Sequence, residues 1–188
     1  MDAYLQTERL LLRRFTRDDV QNLFELDSDP EVVRYANPGG KTRTREEITR
    51  EVLPRILSWY ERTSGKFGYW AAIEKSSGEF LGWFEFRPFD EDPEKTELGY
   101  RLKRSAWGKG YATEGARALV EKGFTELGVE HVVAIALVEN PASVRVMQKT
   151  GLRFERRGTY PMYPGRKEVE EVWYGLRRED FLRSGPPA

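Results

Sequence analysis

Three short stretches bring together residue types that can do chemistry. Ser105–Gly115, SAWGKGYATEG, sets Gly108 and Gly110 on either side of Lys109, after a strand-like ELGYRL and before a helix-like run. Glycine in an element interior costs about 0.5–1 kcal/mol relative to alanine, so a pair at a strand-to-helix turn suggests a backbone task. One such task is to close main-chain N–H groups around phosphate oxygens at a helix start, with Lys109 adding a mobile positive charge. In the second stretch, Glu139-Asn140-Pro141-Ala142-Ser143, Asn140 is a good N-cap and Pro141 suits the first helical position. Asn140 and Ser143 there are either caps or ligand contacts. Glu97 heads ELGYRL, with Gly99 and Arg101 on the same alternate face. From the residues alone it reads as a surface-facing or hairpin-stabilising carboxylate.

The known glycine-rich phosphate loops do not match. A dinucleotide fingerprint needs a third glycine where Thr113 stands, and a Walker loop needs four residues between its glycines followed by Lys-Ser/Thr. On pattern alone, a phosphate site and a tight turn both remain open.

The elements that must position these residues follow from the apolar spacing. TERLLLRRF reads as an opening strand, and Thr16 followed by Arg17, Asp18 and Asp19 as a helix start. Thr44-Arg45-Glu46-Glu47 matches a capping box, and the helix behind it runs towards Trp59 and Tyr60 with a kink at Pro54. FGYWAAIE and GEFLGWFEFRP, separated by KSSG, read as a β-hairpin, and after DEDPEK the run TELGYRL adds a third strand. A helix over 113–127 follows, with Ala116, Leu119, Val120, Phe124 and Leu127 on one stripe. HVVAIALV, apolar almost throughout, reads as a strand covered on both faces. Strand, glycine turn, helix and buried strand make a β-α-β crossover, so ELGYRL and HVVAIALV are parallel. A helix over 142–150, ended by Gly151, and strands near 153–160 and 168–177 complete an α+β or α/β domain with a mixed sheet.

Composition narrows the function classes. The 188 residues are enough for one domain with a sizeable core. Basic and acidic residues balance at 31 each, so no global field draws in nucleic acid or a membrane surface. With no cysteine and one histidine, a thiol nucleophile is excluded and a zinc site is disfavoured. MDAYLQTERLLLRRF lacks the apolar core of a signal peptide, and no apolar run reaches the ~20 residues of a membrane span, so a cytoplasmic protein is expected.

Taken together, the glycine turn and the Asn140–Ser143 element, in that order across a β-α-β unit, resemble the GNAT superfamily of acetyl-CoA-dependent N-acetyltransferases. The likeness is strongest to the RimJ/RimL branch, which modifies protein N-termini, and it extends from TERLLLRRF to WYGLRREDF. The family's pyrophosphate loop, Arg/Gln-x-x-Gly-x-Gly/Ala, falls on Trp107, Gly108, Lys109, Gly110, Tyr111 and Ala112. Trp107 departs from the usual first residue, as this branch often does, and is read as packing. The Asn-x-x-Ser element falls on Asn140 and Ser143, and the trailing Gly-Phe is spaced out as Gly151-Leu152-Arg153-Phe154.

The resemblance implies a single domain over residues 1–183 with a loose tail over 184–188, its mixed twisted sheet splayed between the two parallel strands and flanked by helices on both faces. It implies acetyl-CoA as co-substrate and no metal. The diphosphate would lie on Gly108, Lys109, Gly110, Tyr111, Ala112 and Thr113. Pantetheine would lie along the main chain of Leu102 and Arg104, oriented by Asn140. Attack by an amine would be direct, with Glu97 as base through water and Ser143 stabilising or protonating the thiolate. Glu85 is a second candidate base; Tyr160 and Tyr163 are candidate acids that equally read as packing. Tyr35, Trp59, Tyr60 and the TYPMYPGRKEVEE loop, with Glu168, Glu170 and Glu171, would wall the acceptor groove. His131 is read as structural. A protein N-terminus, or a small amine such as an antibiotic or polyamine, fits as acceptor, as does a monomer or homodimer. A non-catalytic acetyl-CoA sensor is the alternative from another class.

Overall fold

One sheet runs through the molecule, and its strand order explains why two cores form. The structure is a computed structural model describing residues 3–37, 40–160 and 169–184. Its strands are β1 (Ala3–Gln6), β2 (Leu10–Arg14), β3 (Gly68–Glu74), β4 (Phe80–Phe89), β5 (Asp92–Leu102), β6 (His131–Leu137), β7 (Arg153–Tyr160) and β8 (Val169–Arg177). They lie in the order β1-β2-β3-β4-β5-β6-β8-β7. Every neighbouring pair is antiparallel except β5 and β6. That pair flanks the helix α5 (Tyr111–Thr125), the crossover expected from the sequence.

Alternation along the strands sends side chains to two faces, each covered by helices. On one face α5 and α6 (Pro141–Lys149) pack on Phe84, Phe86, Leu98 and Leu102 through Ala116, Leu119, Phe124 and Met147. On the other face α1 (Val20–Asp27), α2 (Pro30–Val33) and α4 (Leu53–Arg62), the last preceded by α3 (Arg45–Glu47), meet Tyr69 and Ala71 through Leu23, Leu26, Val32, Ile56 and Trp59. Gly115 and Gly123 let α5 approach the sheet: a Cβ on either would lie within 2.5 Å of the Phe84 or Phe86 ring. Gly151, at φ 95°, ends α6 with Leu152 N–H donating to the Met147 carbonyl at 3.1 Å.

Four local expectations change. The opening strand is two, because AYLQ forms β1, which pairs with β2 through Ala3, Leu5 and Gln6. DEDPEK is largely strand: β5 starts at Asp92 and is held by its ladder to β4, a pairing that acidic composition does not announce. The irregularity assigned to Pro54 lies just before it, as a widened turn over Ile48–Val52 in which Leu53 N–H reaches the Ile48 carbonyl. Proline cannot supply the next bond, and that relaxes the ladder there. An additional helix, α7 (Arg178–Ser184), buries Phe181 against Phe124 at 5.2 Å between ring centroids. Among the described residues no helix is long and apolar enough to cross a membrane.

Candidate active site

The sheet opens where β5 and β6 part. They pair only at Thr96–Val132 and Glu97–Val133, although β5 continues to Leu102 and β6 to Leu137. The direction of the backbone groups beyond that vertex follows from the neighbouring ladders. Lys103 N–H donates to the Leu81 carbonyl at 2.7 Å, so Glu97, Gly99 and Arg101 bond to β4, while Tyr100 and Leu102 aim their N–H and C=O groups into the gap. Across it, Val138 N–H donates to the Glu170 carbonyl at 3.0 Å, which turns the main chain of Ile135 towards the gap. A slot lined by main-chain donors and acceptors suits an extended, amide-containing ligand.

The glycine turn sits at one end of this slot. Gly108 and Gly110 have φ of 73° and 86°, a region that L side chains rarely adopt, so both glycines are required by the turn. Gly110 is the N-cap of α5, and the first intrahelical bond runs from Glu114 N–H to its carbonyl at 3.0 Å. The N–H groups of Tyr111, Ala112 and Thr113 precede that bond and are left for a ligand. A Cβ on Gly108 would meet nothing within 4 Å, and one on Gly110 only Arg9 Nη2 at 3.3 Å, so the outer surface of the turn is open. Lys109 is exposed. Tyr111 turns its side chain inward, where its hydroxyl donates to Glu74, leaving the backbone as its means of contact.

Sequence reasoning missed the clamp that holds this turn. Arg9 donates from Nη1 to the Lys109 carbonyl at 2.9 Å, pairs with Glu114 at 2.6 Å, and lies 4.5 Å from the Tyr111 ring centre. Glu114 also accepts from Thr7 Oγ1 at 2.5 Å and from Arg9 N–H at 2.9 Å. Burial works against its charge, but these bonds hold its carboxyl below the usual range. The only sequence signal was the basic character of the opening strand.

Trp107 engages the last carbonyl of β5 and that of Arg104 in the turn after it. Its Nε1 donates to the Leu102 carbonyl at 2.8 Å and its N–H to the Arg104 carbonyl at 3.0 Å, while the ring stays about half exposed. The Arg104 side chain ties back to Asp29 on α2 at 2.6 Å.

At the far side of the gap, Asn140 Oδ1 accepts the Ser143 N–H at 3.2 Å, a helix cap. The Ser143 hydroxyl itself lies 3.0 Å from the Tyr100 hydroxyl, which is also 3.0 Å from the Ser143 carbonyl. Burial pushes the Tyr100 phenol well above its ordinary pKa, so it stays protonated at neutral pH. Tyr100 alternates with Glu97 along ELGYRL and was legible as its opposite-face neighbour, but its contact with α6 was not.

Glu97 stands at the vertex, on the other face. Its carboxylate is 2.9 Å from Arg87 Nη2, and Arg87 Nε is 2.5 Å from Glu85 Oε1, a close charge contact not aligned as a hydrogen bond. Burial, helped by the Glu85 charge and opposed by Arg87, raises the Glu97 carboxyl to about 8. The expected acceptor wall is mixed. Trp59 is buried on this face 5.4 Å from Arg87, and Tyr35 lies under Arg34 at 5.2 Å. Tyr60 belongs to the core: its hydroxyl accepts from Phe15 N–H at 3.0 Å and donates to the Tyr69 carbonyl. Glu171 is buried and accepts from Trp173 Nε1 at 2.7 Å, whereas Glu170 is exposed. His131 pairs with Glu155 at 2.8 Å. Tyr163, Glu168, most of the TYPMYPGRKEVEE loop and the side chain of Tyr160 lie outside the described residues, as does the tail beyond Ser184.

The arrangement is a slot with a raised carboxylate on one face, a hydroxyl pair on the other, and free N–H groups at its end. Comparison with known proteins places the chain in a family. A family described as "Acetyltransferase (GNAT) domain" matches residues 9–153. The FsC-acetyl coenzyme A-N(2)-transacetylase of Aspergillus fumigatus is 34% identical, covering 98% of this chain and 80% of that protein. Among solved structures, a GNAT-family acetyltransferase from Bacillus anthracis has a TM-score of 0.77 at 27% identity, covering 93% of this chain and 98% of its own. RimL, a ribosomal-protein α-N-acetyltransferase solved with coenzyme A, has a TM-score of 0.77 at 18% identity, covering 94% and 98% of the two chains.

Proposed function

The chain belongs to the GNAT acetyltransferases, and from that membership we propose that it moves the acetyl group of acetyl-CoA onto an α-amine, such as a protein N-terminus, by direct attack with Glu97 as base. The observation that carries this reading is the position of Glu97: it stands at the vertex of the gap, 2.9 Å from Arg87, where burial raises its carboxyl. An α-amine has a pKa of roughly 7.7–8.0, whereas a lysine amine sits near 10.4. A carboxyl raised in this way is better matched to the first than to the second.

The residues present suit acetyl-CoA. Gly108 and Gly110 open the turn, and the N–H groups of Tyr111, Ala112 and Thr113, at the positive end of α5, face the place for the diphosphate; Lys109 adds charge from outside. Tyr100 and the N–H of Leu102 line the slot for pantetheine, the carbonyls of Leu102 and Arg104 being held by Trp107. Asn140 shapes the start of α6 and so sets Ser143 beside the slot. Acetyl-CoA supplies the activated acyl group. Glu97 receives one proton from the ammonium of the acceptor; the second, released as the amide forms, goes to the departing sulfur, where Ser143, held by Tyr100, offers a hydroxyl.

Release of CoA thiol, followed with peptides bearing a free α-amine, Nα-blocked lysine peptides and spermidine, tests the acceptor class. Fast turnover is expected with the first group, and preference for the lysine peptides or spermidine would overturn it. Glu97→Gln is expected to lower kcat by roughly 10²–10⁴-fold. A raised KM with normal kcat would instead make Glu97 an anchor for the ammonium group.

A further inference from the structure

Arg87 faces Glu97 directly across the β4–β5 ladder. Besides Glu97 at 2.9 Å, its guanidinium meets Glu85 at 2.5 Å and Asp90 at 3.1 Å. The Tyr69 phenol acts on it from β3, and the Trp59 ring lies 5.4 Å away. Asp90 is 73% exposed and screened by water, whereas the Arg87 and Glu85 side chains are each 11% exposed. The buried arrangement is therefore two carboxylates sharing one guanidinium. In a simple buried Glu–Arg pair, protonating the carboxylate would strand the guanidinium without a partner, which is strongly unfavourable. Here it would not, because Glu85 remains.

We propose that Glu85, Arg87 and Glu97 work as one proton-accepting unit, in which Arg87 fixes the Glu97 carboxylate at the vertex and Glu85 balances Arg87 when Glu97 takes the acceptor's proton. The inference rests on Glu97 being the base. Arg87 and Glu85 are positioning residues within it. The net charge of the three groups goes from −1 to 0 as an ammonium becomes an amine, and Glu97 returns that proton to solvent after transfer. Further along this face, Arg101 on β5 pairs with Asp27 of α1 at 2.5 Å and Arg13 on β2 pairs with Asp19 at 2.7 Å, so each of these charges has its own partner. Tyr69 on β3 is a phenol pushed by burial up to about 12, so it is neutral at working pH. Asp90 and Glu91, in the β4–β5 turn, add to the negative field on Glu97. From α4, Arg55 acts on Tyr69, and Arg62 stacks on Trp59 at 4.5 Å. On β6 the facing residues Val133 and Ile135 are apolar, and His131 is engaged by Glu155.

Protein labelled with ¹³C at the glutamate carboxyl, titrated by NMR, reads the unit without any acceptor; the Glu97 signal is assigned by its loss in Glu97→Gln. Glu85→Gln leaves Arg87 wholly to Glu97 and removes a like charge, so the midpoint should fall by about one pH unit or more. Arg87→Met should move it the opposite way, into a two-step titration of a carboxylate pair. Should Arg87→Met fail to fold, Arg87→Lys keeps the charge but loses the two-pronged fork, and should raise the midpoint by less. The acid limb of kcat/KM with an α-amine peptide should follow the same directions. A Glu97 midpoint unmoved by Glu85→Gln overturns the unit. An acid limb that ignores a moved midpoint overturns Glu97 as the base, and the NMR arm tells the two failures apart.

Discussion

At position 143 the backbone and the side chain have separate tasks. The Ser143 N–H is capped by Asn140 Oδ1, whereas its hydroxyl faces Tyr100 at 3.0 Å. Removing that hydroxyl therefore spares the cap. Ser143→Ala should retain the melting temperature of the parent to within a degree or two while kcat falls by roughly 10²-fold, the low end for a positioned proton donor. Affinity for acetyl-CoA should change little, because the hydroxyl is needed mainly as charge develops on sulfur. Calorimetry with acetyl-CoA, a thermal melt and a thiol-release assay on the same preparation check all three. A variant that loses stability and keeps its turnover would return Ser143 to a structural role. Asn140→Ala makes the contrast: it removes the cap, and should cost about 1 kcal/mol of stability.

Among the elements, the turn between β5 and α5 is the one whose chemistry was most legible in sequence. Glycine at positive φ leaves a visible mark, and the residues at 108 and 110 are left-handed as two glycines around a lysine imply. Gly110→Val places a branched side chain at φ 86° and over the surface proposed for the diphosphate, so acetyl-CoA affinity should drop at least tenfold on a protein that still folds. Unchanged affinity would remove the phosphate-cradle reading. Lys109→Ala should cost less, since the backbone donors remain. The crossover, the hairpin and the late strands were equally legible, because each carries its own period of apolar residues. What was not legible depends on pairing between distant segments. β1 is a short, half-exposed strand with little alternation. The Arg9–Glu114 clamp joins residues 105 positions apart. The Trp107 bond to the Leu102 carbonyl needs a loop geometry that composition does not encode. The parting of β5 from β6 came from family resemblance, and no residue pattern in either strand announces it.

For the molecule as a whole, a buried carboxylate at the vertex has a cost in stability that pH can expose. Glu97 has an ordinary pKa near 4.3, and in the folded chain burial and the Glu85 charge, opposed by Arg87, raise it to about 8. Below pH 4 both folded and unfolded chains hold the proton, and this group takes nothing from stability. As pH rises from about 4.3 towards 8, the unfolded chain gives the proton up and the folded chain keeps it, so stability is lost through that window and stays lost above it. Other carboxylates act in the opposite sense. Burial opposes the charge of Asp19, but bonds from Arg13, the Thr16 N–H and Asn22 hold it below its ordinary range, so its contribution is present at neutral pH and fades in acid. Glu114 behaves likewise. Comparing parent and Glu97→Gln cancels those groups, because both chains contain them. Glu97→Gln cannot ionise and still leaves Arg87 its Glu85 partner. Its melting temperature should exceed that of the parent by a few °C at pH 9, where 1 kcal/mol corresponds to about 2–4 °C for a chain of this size, and the gain should vanish at pH 4. Scanning calorimetry at the two pH values settles it: equal melting temperatures at pH 9, or a loss, would mean that Arg87 fully offsets the burial of Glu97, and the carboxyl would then titrate too low to serve an α-amine as base.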